Sequence, residues 1–328
     1  MRFIRNTANT PVYFAATGDV VINGTIEVSA WITDLANPQF AFPELPKRGG
    51  GPGGFDGGLP GTPTNPEGNP GGGPGGGNGG AGNGSPGGGG GNATPGGTAD
   101  RYGPTPALGG PAVAFGDPIR GGSGGGGGSV GFFYGVPLDA GSGGGGGGAI
   151  QISTPGDITI NSSILANGAN GAWAFANVFA SGGPGGGGSG GAIEFFADTI
   201  TLGIDGLIQA VGGYGGGLST QPYTNDPPGF SSHADGGMGY AMVQAETVNF
   251  QGTVDAVIIT ENPCGCDLNT DGRCDMQDWL LFGEDWGRTD CNEVGVDCEC
   301  DLNVDGTCDM QDWLLFGEDW GRTDCPIP

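Results

Sequence analysis

The chain has 328 residues, of which 79 are glycine and 25 proline, so the two residues that interrupt helices and strands make up about a third of it and an ordinary compact α/β enzyme is excluded. Its formal charge is −26, with 35 acidic residues against 9 basic ones, which sets it against phosphate backbones and anionic bilayers and excludes nucleic-acid and membrane-surface partners. It has no apolar run of about 18 residues, so no membrane insertion is expected, and 46 of its glycines fall between residues 49 and 148.

At the N-terminus, Arg2 and Arg5 are not followed by the apolar stretch of an export signal. The cysteine usage described below nevertheless points to an oxidising compartment, so the chain is expected to begin inside a longer one. The body, residues 1–262, carries one pattern four times. Val20-x-Ile22-x-Gly24-x-Ile26-x-Val28 recurs as Ile158-x-Ile160-x-Ser162-x-Ile164-x-Ala166. It returns as Ile200-x-Leu202 with Ile208-x-Ala210 after a two-residue insertion, and as Val248-x-Phe250-x-Gly252-x-Val254-x-Ala256.

The period of two is that of a strand. A shorter strand precedes each copy: Val12–Ala15, Ala149–Ile152, Ala192–Phe195 and Ala241–Gln244. The last three copies start 42 and 48 residues apart, a spacing that predicts stacked repeats, each burying its apolar face only against its neighbours. The expected fold class is all-β, a parallel β-solenoid with long glycine-rich loops, followed by a small α-helical module.

The first and second copies start 138 residues apart. The glycine-rich stretch 49–148 is then either one large insertion or hides degenerate coils, of which Ala112–Phe115 and Gly131–Tyr134 are candidates. The glycine tracts 143–148, 185–188 and 215–217 sit at equivalent places beside the coils and are expected to leave the solenoid along one face, as ordered or semi-ordered extended chains. None is followed by the lysine and helix of a phosphate-binding loop. The segments Gly18–Ile26 and Gly156–Asn161 give the body a texture that resembles glycine-rich β-helical proteins of bacterial surfaces, a likeness of architecture that implies no activity.

An enzyme on such a scaffold needs either a basic residue beside clustered acids or two carboxylates facing one groove. The body has six basic residues, Arg2, Arg5, Lys47, Arg48, Arg101 and Arg120, none in the three regular coils, which disfavours a lyase. Glu194, Asp198, Asp205, Glu246 and Asp255 are the outward acids to test for a glycosidase pair. Tyr214, Tyr223, Phe230 and Tyr240 could stack on sugars, and His233 reads as a loop residue. No catalytic residue is assigned.

From residue 263 the composition changes. Residues 263–328 hold all eight cysteines, four of the six tryptophans, and 17 acids against three arginines. The eighteen letters Cys274–Cys291 return at Cys308–Cys325, 34 residues later. Each repeat opens with an acidic loop in the twelve-residue calcium spacing. Asp267, Asn269, Asp271 and Asp278 stand at positions 1, 3, 5 and 12, with the Arg273 carbonyl at 7 and Asp275 at 9; in the second loop these are Asp301, Asn303, Asp305, Asp312, Thr307 and Asp309. Glycine at position 6, Gly272 or Gly306, allows the sharp turn. Two calcium ions are the expected cofactors, and like-charge repulsion couples their binding to folding. Apolar residues Trp279, Phe282 and Trp286 predict one amphipathic helix after each loop, ended near Gly287.

A loop of the form DxNxDGxxxxxD with one exiting helix, duplicated, resembles a dockerin type I domain over residues 264–328. The resemblance implies a cohesin-like or cell-surface protein as partner, polysaccharide as a further candidate partner, and loop positions 10 and 11, Met276 with Gln277 and Met310 with Gln311, as partner-binding residues. The eight cysteines depart from that family. Cys264, Cys266, Cys274 and Cys291 map by the 34-residue period onto Cys298, Cys300, Cys308 and Cys325, so disulfides in symmetric arrangements are expected with the connectivity open. The C-x-C-x7-C-x16-C spacing fits no common zinc set. The expectation is thus an extracellular or cell-surface structural or adhesive protein attached through its tail, with a polysaccharide-degrading hydrolase or lyase delivered by the same tail as the alternative.

Overall fold

The computed structural model describes residues 1–30, 49–99, 106–113, 118–175, 181–219, 234–260, 266–269, 271–291, 298–303, 305–318 and 320–322. The boundary expected between 262 and 263 lies outside them, as do Cys264, Cys325, Ala114, Phe115, Tyr223, Phe230 and His233. The strands are β1 (Val12–Ala15), β2 (Val20–Ile22), β3 (Ile26–Glu27), β4 (Gly131–Phe133), β5 (Val136–Leu138), β6 (Ala149–Ser153), β7 (Ile158–Ile160), β8 (Ser163–Leu165), β9 (Ala174–Phe175), β10 (Ala192–Leu202), β11 (Leu207–Gln209), β12 (Leu218–Ser219), β13 (Tyr240–Phe250), β14 (Thr253–Asp255) and β15 (Val257–Thr260). The helices are α1 (Met276–Glu284) and α2 (Met310–Glu318).

The chain is therefore mostly β with two short helices, and all of its strand pairs but one are parallel among those described. One sheet runs β1-β6-β10-β13-β15, with β2 and β7 joined to it through the C-terminal part of β10, and a second runs β14-β11-β8-β3. The four copies of the alternating pattern stack residue on residue: Val20 opposite Ile158, Ile158 opposite Ile200, and Ile200 opposite Val248. Inward positions form apolar ladders, Ile150 with Ile193 and Ala241, and Ile152 with Phe195 and Val243, all buried in one core. A one-residue slip would turn every such side chain outward, which fixes the register. At the first rung Phe3 packs edge-on against Phe14, centroids 5.6 Å apart, and covers part of the core.

The strands of the first copy pair directly with those of the second, Val12 opposite Ile150 and Ile26 opposite Ile164, with no other strand between them. The candidate at 131–134 is instead half of an antiparallel hairpin in which Phe133 faces Val136. Its two-residue loop, Tyr134 and Gly135, has φ of +47° and +79°, the turn whose twist matches paired strands.

The glycine-rich residues build a second kind of core. An extended polyproline II chain has no internal hydrogen bonds and about three residues per turn, so its N–H and C=O groups point outward in three directions and must find partners on neighbouring chains. Segment 122–130 meets this demand completely around its axis. It donates to 141–147 (Gly125 N to Gly144 O, 2.9 Å), to 66–72 (Gly127 N to Asn69 O, 2.9 Å) and to 85–88 (Gly126 N to Gly88 O, 2.8 Å). It accepts from 55–61 (Gly58 N to Gly125 O, 2.8 Å), from 77–80 (Gly80 N to Gly127 O, 2.8 Å) and from 183–189 (Gly186 N to Gly126 O, 2.9 Å). In each direction the bonds recur every third residue.

Segment 183–191 is enclosed in the same way, donating to 123–129, 166–172 and 234–237 and accepting from 141–147, 87–90 and 213–216. Chains this close leave no room for a side chain: a Cβ on Gly126 would overlap the Asn78 carbonyl oxygen, and one on Gly128 that of Gly183. Serine is admitted where its hydroxyl replaces a lattice partner, as where Ser123 N donates to Ser189 Oγ at 2.8 Å and Gly75 N to Ser123 Oγ at 3.0 Å. The bundle is continuous with the sheets. Segments 141–148, 183–191 and 234–239 lead into β6, β10 and β13, whereas 166–172 and 210–217 leave β8 and β11. The tracts 143–148, 185–188 and 215–217 are thus ordered interior chains. Asn9 fastens the bundle to the first rung, accepting from Gly53 N at 3.0 Å and donating to Gly54 O at 2.9 Å, and Arg5 pairs with Asp56.

Gly126→Ala is expected to destabilise the body by about 1–3 kcal/mol, the usual cost of overpacking, whereas Gly24→Ala, with nothing within 4 Å of the added Cβ, is expected to change the melting temperature little; paired thermal melts check this. Burial also raises the pKa of the Asp139 carboxyl above its ordinary value. Because the folded chain then holds this proton more tightly than the unfolded one, stability falls as pH rises through the raised pKa. Asp139→Asn should therefore raise the melting temperature at high pH and flatten its fall as pH climbs above the ordinary carboxylate range.

Candidate metal centre

In each acidic loop the side chains hold the backbone in a closed turn. Asp267 is buried, and its carboxylate accepts from Asp271 N and Gly272 N, both at 3.0 Å. Asn269 Oδ1 accepts from Asp271 N at 2.9 Å, and Asp271 Oδ1 from Arg273 N at 3.0 Å. Asp278, also buried, reaches back to accept from Asn269 N at 3.1 Å and Asp275 N at 2.8 Å. The second loop repeats this bond for bond. Asp301 accepts from Asp305 N and Gly306 N at 3.0 and 2.9 Å, and Asp312 from Asn303 N and Asp309 N at 3.1 and 2.8 Å. Gly272 and Gly306 turn the chain with φ of +86° and +91°, a region that side chains disfavour.

Burial raises the pKa of the Asp267 carboxyl, and hydrogen bonds from the Thr307 hydroxyl and N–H lower that of Asp305. The first and last side chains of the loop, Asp267 and Asp278, are thus drawn inward, with Asn269, Asp271 and the Arg273 backbone between them. These are hard oxygen donors, the set that suits a hard divalent cation. Among the described residues the group of three cysteine, histidine or acidic ligand atoms that lie within 4.8 Å of one another is not in either loop but is Asp285 with Cys298 and Cys300. Both sulfurs are in disulfides and are not thiolates, so this trio is no metal site.

The helices begin earlier than the apolar spacing predicts, at Met276 and Met310 rather than after position 12. The cause is the capping box, in which Asp275 Oδ1 accepts from Gln277 N at 2.8 Å while Asp278 accepts from Asp275 N. Loop positions 9 to 12 are therefore the first turn of the helix. Beyond Glu284 the chain leaves through Gly287, φ +86°, and Arg288 bonds Asp285 at 2.8 Å and Asp290 at 3.0 Å.

Among the described residues three disulfides join Cys266 to Cys274, Cys291 to Cys298, and Cys300 to Cys308, with Cα separations of 5.4, 5.3 and 5.6 Å. The first and third are equivalent under the 34-residue period; Cys291–Cys298 bridges the two repeats. Cys266, Cys274, Cys300 and Cys308 form one small core with Phe282 and Phe316, whose rings are 4.8 Å apart. The repeats exchange backbone bonds. Cys274 N donates to Arg322 O and Gly321 N to Cys274 O, at 2.9 and 3.0 Å, while Cys308 N donates to Arg288 O and Gly287 N to Cys308 O, at 2.8 and 2.9 Å.

Met276, Gln277, Met310 and Gln311 are exposed, each methionine on the same outward face as Leu280 or Leu314 four residues on. Between the helices, Trp279, Phe282, Gly283, Trp286, Met310 and Trp313 line a pocket of about 360 Å³. Spacing alone did not signal this pocket, because it depends on how the two helices cross.

In the body, Glu194 is not an outward acid in an open groove. It is 7 % exposed and Tyr240, also buried, donates to it at 3.2 Å; the outer face of β10 here is covered by a cluster containing Ile119 and Met242. Asp198 and Asp205 are exposed, Asp255 accepts from Gln209 Nε2 at 3.0 Å, and Tyr214 is largely exposed. The side chain of Glu246 lies outside the description. No helix among the described residues is long and apolar enough to cross a membrane.

Asp275→Ala removes the cap of α1 and should lower tail stability by about 1 kcal/mol, whereas Asp275→Asn, which can still cap, should cost less; tryptophan-fluorescence melts of the full chain report the difference. In comparisons with known proteins, no family model, no curated protein and no solved structure matches this chain.

Proposed function

We propose that this is an extracellular or cell-surface structural and adhesive protein, in which a β-solenoid body carries a polyglycine bundle and a dockerin-like calcium module attaches it to a cohesin-like or cell-surface protein. The observation that carries this reading is the duplicated loop-helix unit: two loops with the same bonds at the same positions, each feeding a helix with the same exposed Met and Gln. Calcium, one ion per loop, would be held by Asp267, Asn269, Asp271, the Arg273 carbonyl, Asp275 and Asp278, and by Asp301, Asn303, Asp305, the Thr307 carbonyl, Asp309 and Asp312.

The stacked in-register rungs support the solenoid, and three disulfides support an oxidising location. Burial of Glu194 counts against the polysaccharide-degrading alternative, and polysaccharide is kept as a partner to be tested for binding.

Calcium should raise the melting temperature of the tail and leave the strand signal of the body unchanged. A ligand at a thousand times its dissociation constant stabilises by about 4 kcal/mol per site. Replacing Asp267 and Asp301 with alanine should abolish the response in calorimetric titration. A tail that melts alike with calcium and with chelator overturns this reading.

A further inference from the structure

The two equivalent disulfides are placed on the loops themselves. Cys266 immediately precedes Asp267, the first position of its loop, and Cys274 immediately precedes Asp275, the ninth; Cys300 and Cys308 hold the same places beside Asp301 and Asp309. Each cross-link therefore ties together the two ends of the chain segment that carries positions 1, 3, 5 and 7.

The same cysteines are otherwise fixed. All four are buried with Phe282 and Phe316, and Cys274 and Cys308 are held by backbone bonds to Gly321 and Arg322, and to Gly287 and Arg288, of the opposite repeat. The segment within each cross-link is set by bonds from Asp271 N and Gly272 N to Asp267, and from Asp305 N and Gly306 N to Asp301. Closing a short loop covalently removes open conformations that an ion would otherwise have to suppress, and a site ordered in advance binds more tightly because less ordering remains to be done on binding.

Resting on the calcium reading above, we infer that Cys266–Cys274 and Cys300–Cys308 are braces that set the calcium affinity of their own loops, so that the tail binds its ions tightly only in the oxidised state. Reduction by a dithiol breaks each S–S bond, delivers two electrons and two protons to give two cysteine thiols, and converts the dithiol to its cyclic disulfide. Cys291–Cys298 spans the connection between the repeats and is no part of this device.

The test is calorimetric titration of the full chain with calcium chloride, for the oxidised protein and for a variant lacking only the first brace, Cys266→Ser with Cys274→Ser. The expected result is two sites in the oxidised chain and, in the variant, one site weakened at least tenfold with the other within about threefold of its former affinity. Both sites unchanged, or both lost together, would overturn the inference, the second because it marks general unfolding of the tail. An oxidised chain that binds no calcium would instead overturn the calcium reading on which the inference stands.

Discussion

The body depends on one constraint, that a buried extended glycine chain, whose N–H and C=O groups point in three directions, can satisfy its peptide groups only on other chains. Each unmet buried donor or acceptor costs about 1–3 kcal/mol, so a lone glycine strand cannot enter an interior, whereas one surrounded on all sides can. Segments 122–130 and 183–191 reach that condition, each donating to three neighbours and accepting from three. Glycine is required because the neighbouring carbonyls occupy the space a Cβ would take at positions such as Gly126 and Gly128. The hydrophobic effect contributes little in this region, and backbone hydrogen bonding with close packing takes its place.

The stacked sheets make the bundle affordable. Glycine loses more conformational freedom on folding than any other residue, and bringing many glycine segments into one lattice would be opposed by that entropy. Here the returning segments 141–148, 183–191 and 234–239 are anchored at one end to β6, β10 and β13, whose apolar ladders lock the register. A strand pair that fixes Ile150 opposite Ile193 also fixes the glycines just before each strand, so sheet and lattice impose a common spacing along the stack.

The tail solves the small-domain problem differently. Among the described residues its buried core is two phenylalanines and four cysteines, with Leu268 and Leu302 packed against them, too small to hold a fold by apolar burial alone, and it relies on covalent links, capped helices and backbone bonds exchanged between the repeats. The acids that crowd each loop are partly neutralised by N–H donors from the turn itself, as at Asp267 and Asp301. That arrangement stores the loop shape in the chain, and it leaves an apolar surface around Trp279, Trp286 and Trp313 beside the exposed methionines.

Periodicity in the sequence was enough to mark the four copies of the strand pattern and the duplicated loops with their glycine at the sixth position, because alternation and fixed spacing are local properties that one strand or one turn enforces on itself; the register of the leading strands, Val12 opposite Ile150 and Ile193 opposite Ala241, was decided by the structure. Periodicity also marked Cys266 and Cys274 as equivalents of Cys300 and Cys308. The tertiary structure alone decided that the glycine tracts are an interior, that residues 131–138 close a hairpin rather than a coil, that Glu194 lies covered beside Tyr240, and which described cysteines join. A polyglycine segment carries no side-chain pattern to show which neighbour it will meet. Its partners, like the burial of a strand's outer face, are set by chains far away in the sequence, and only their assembly in space fixes them.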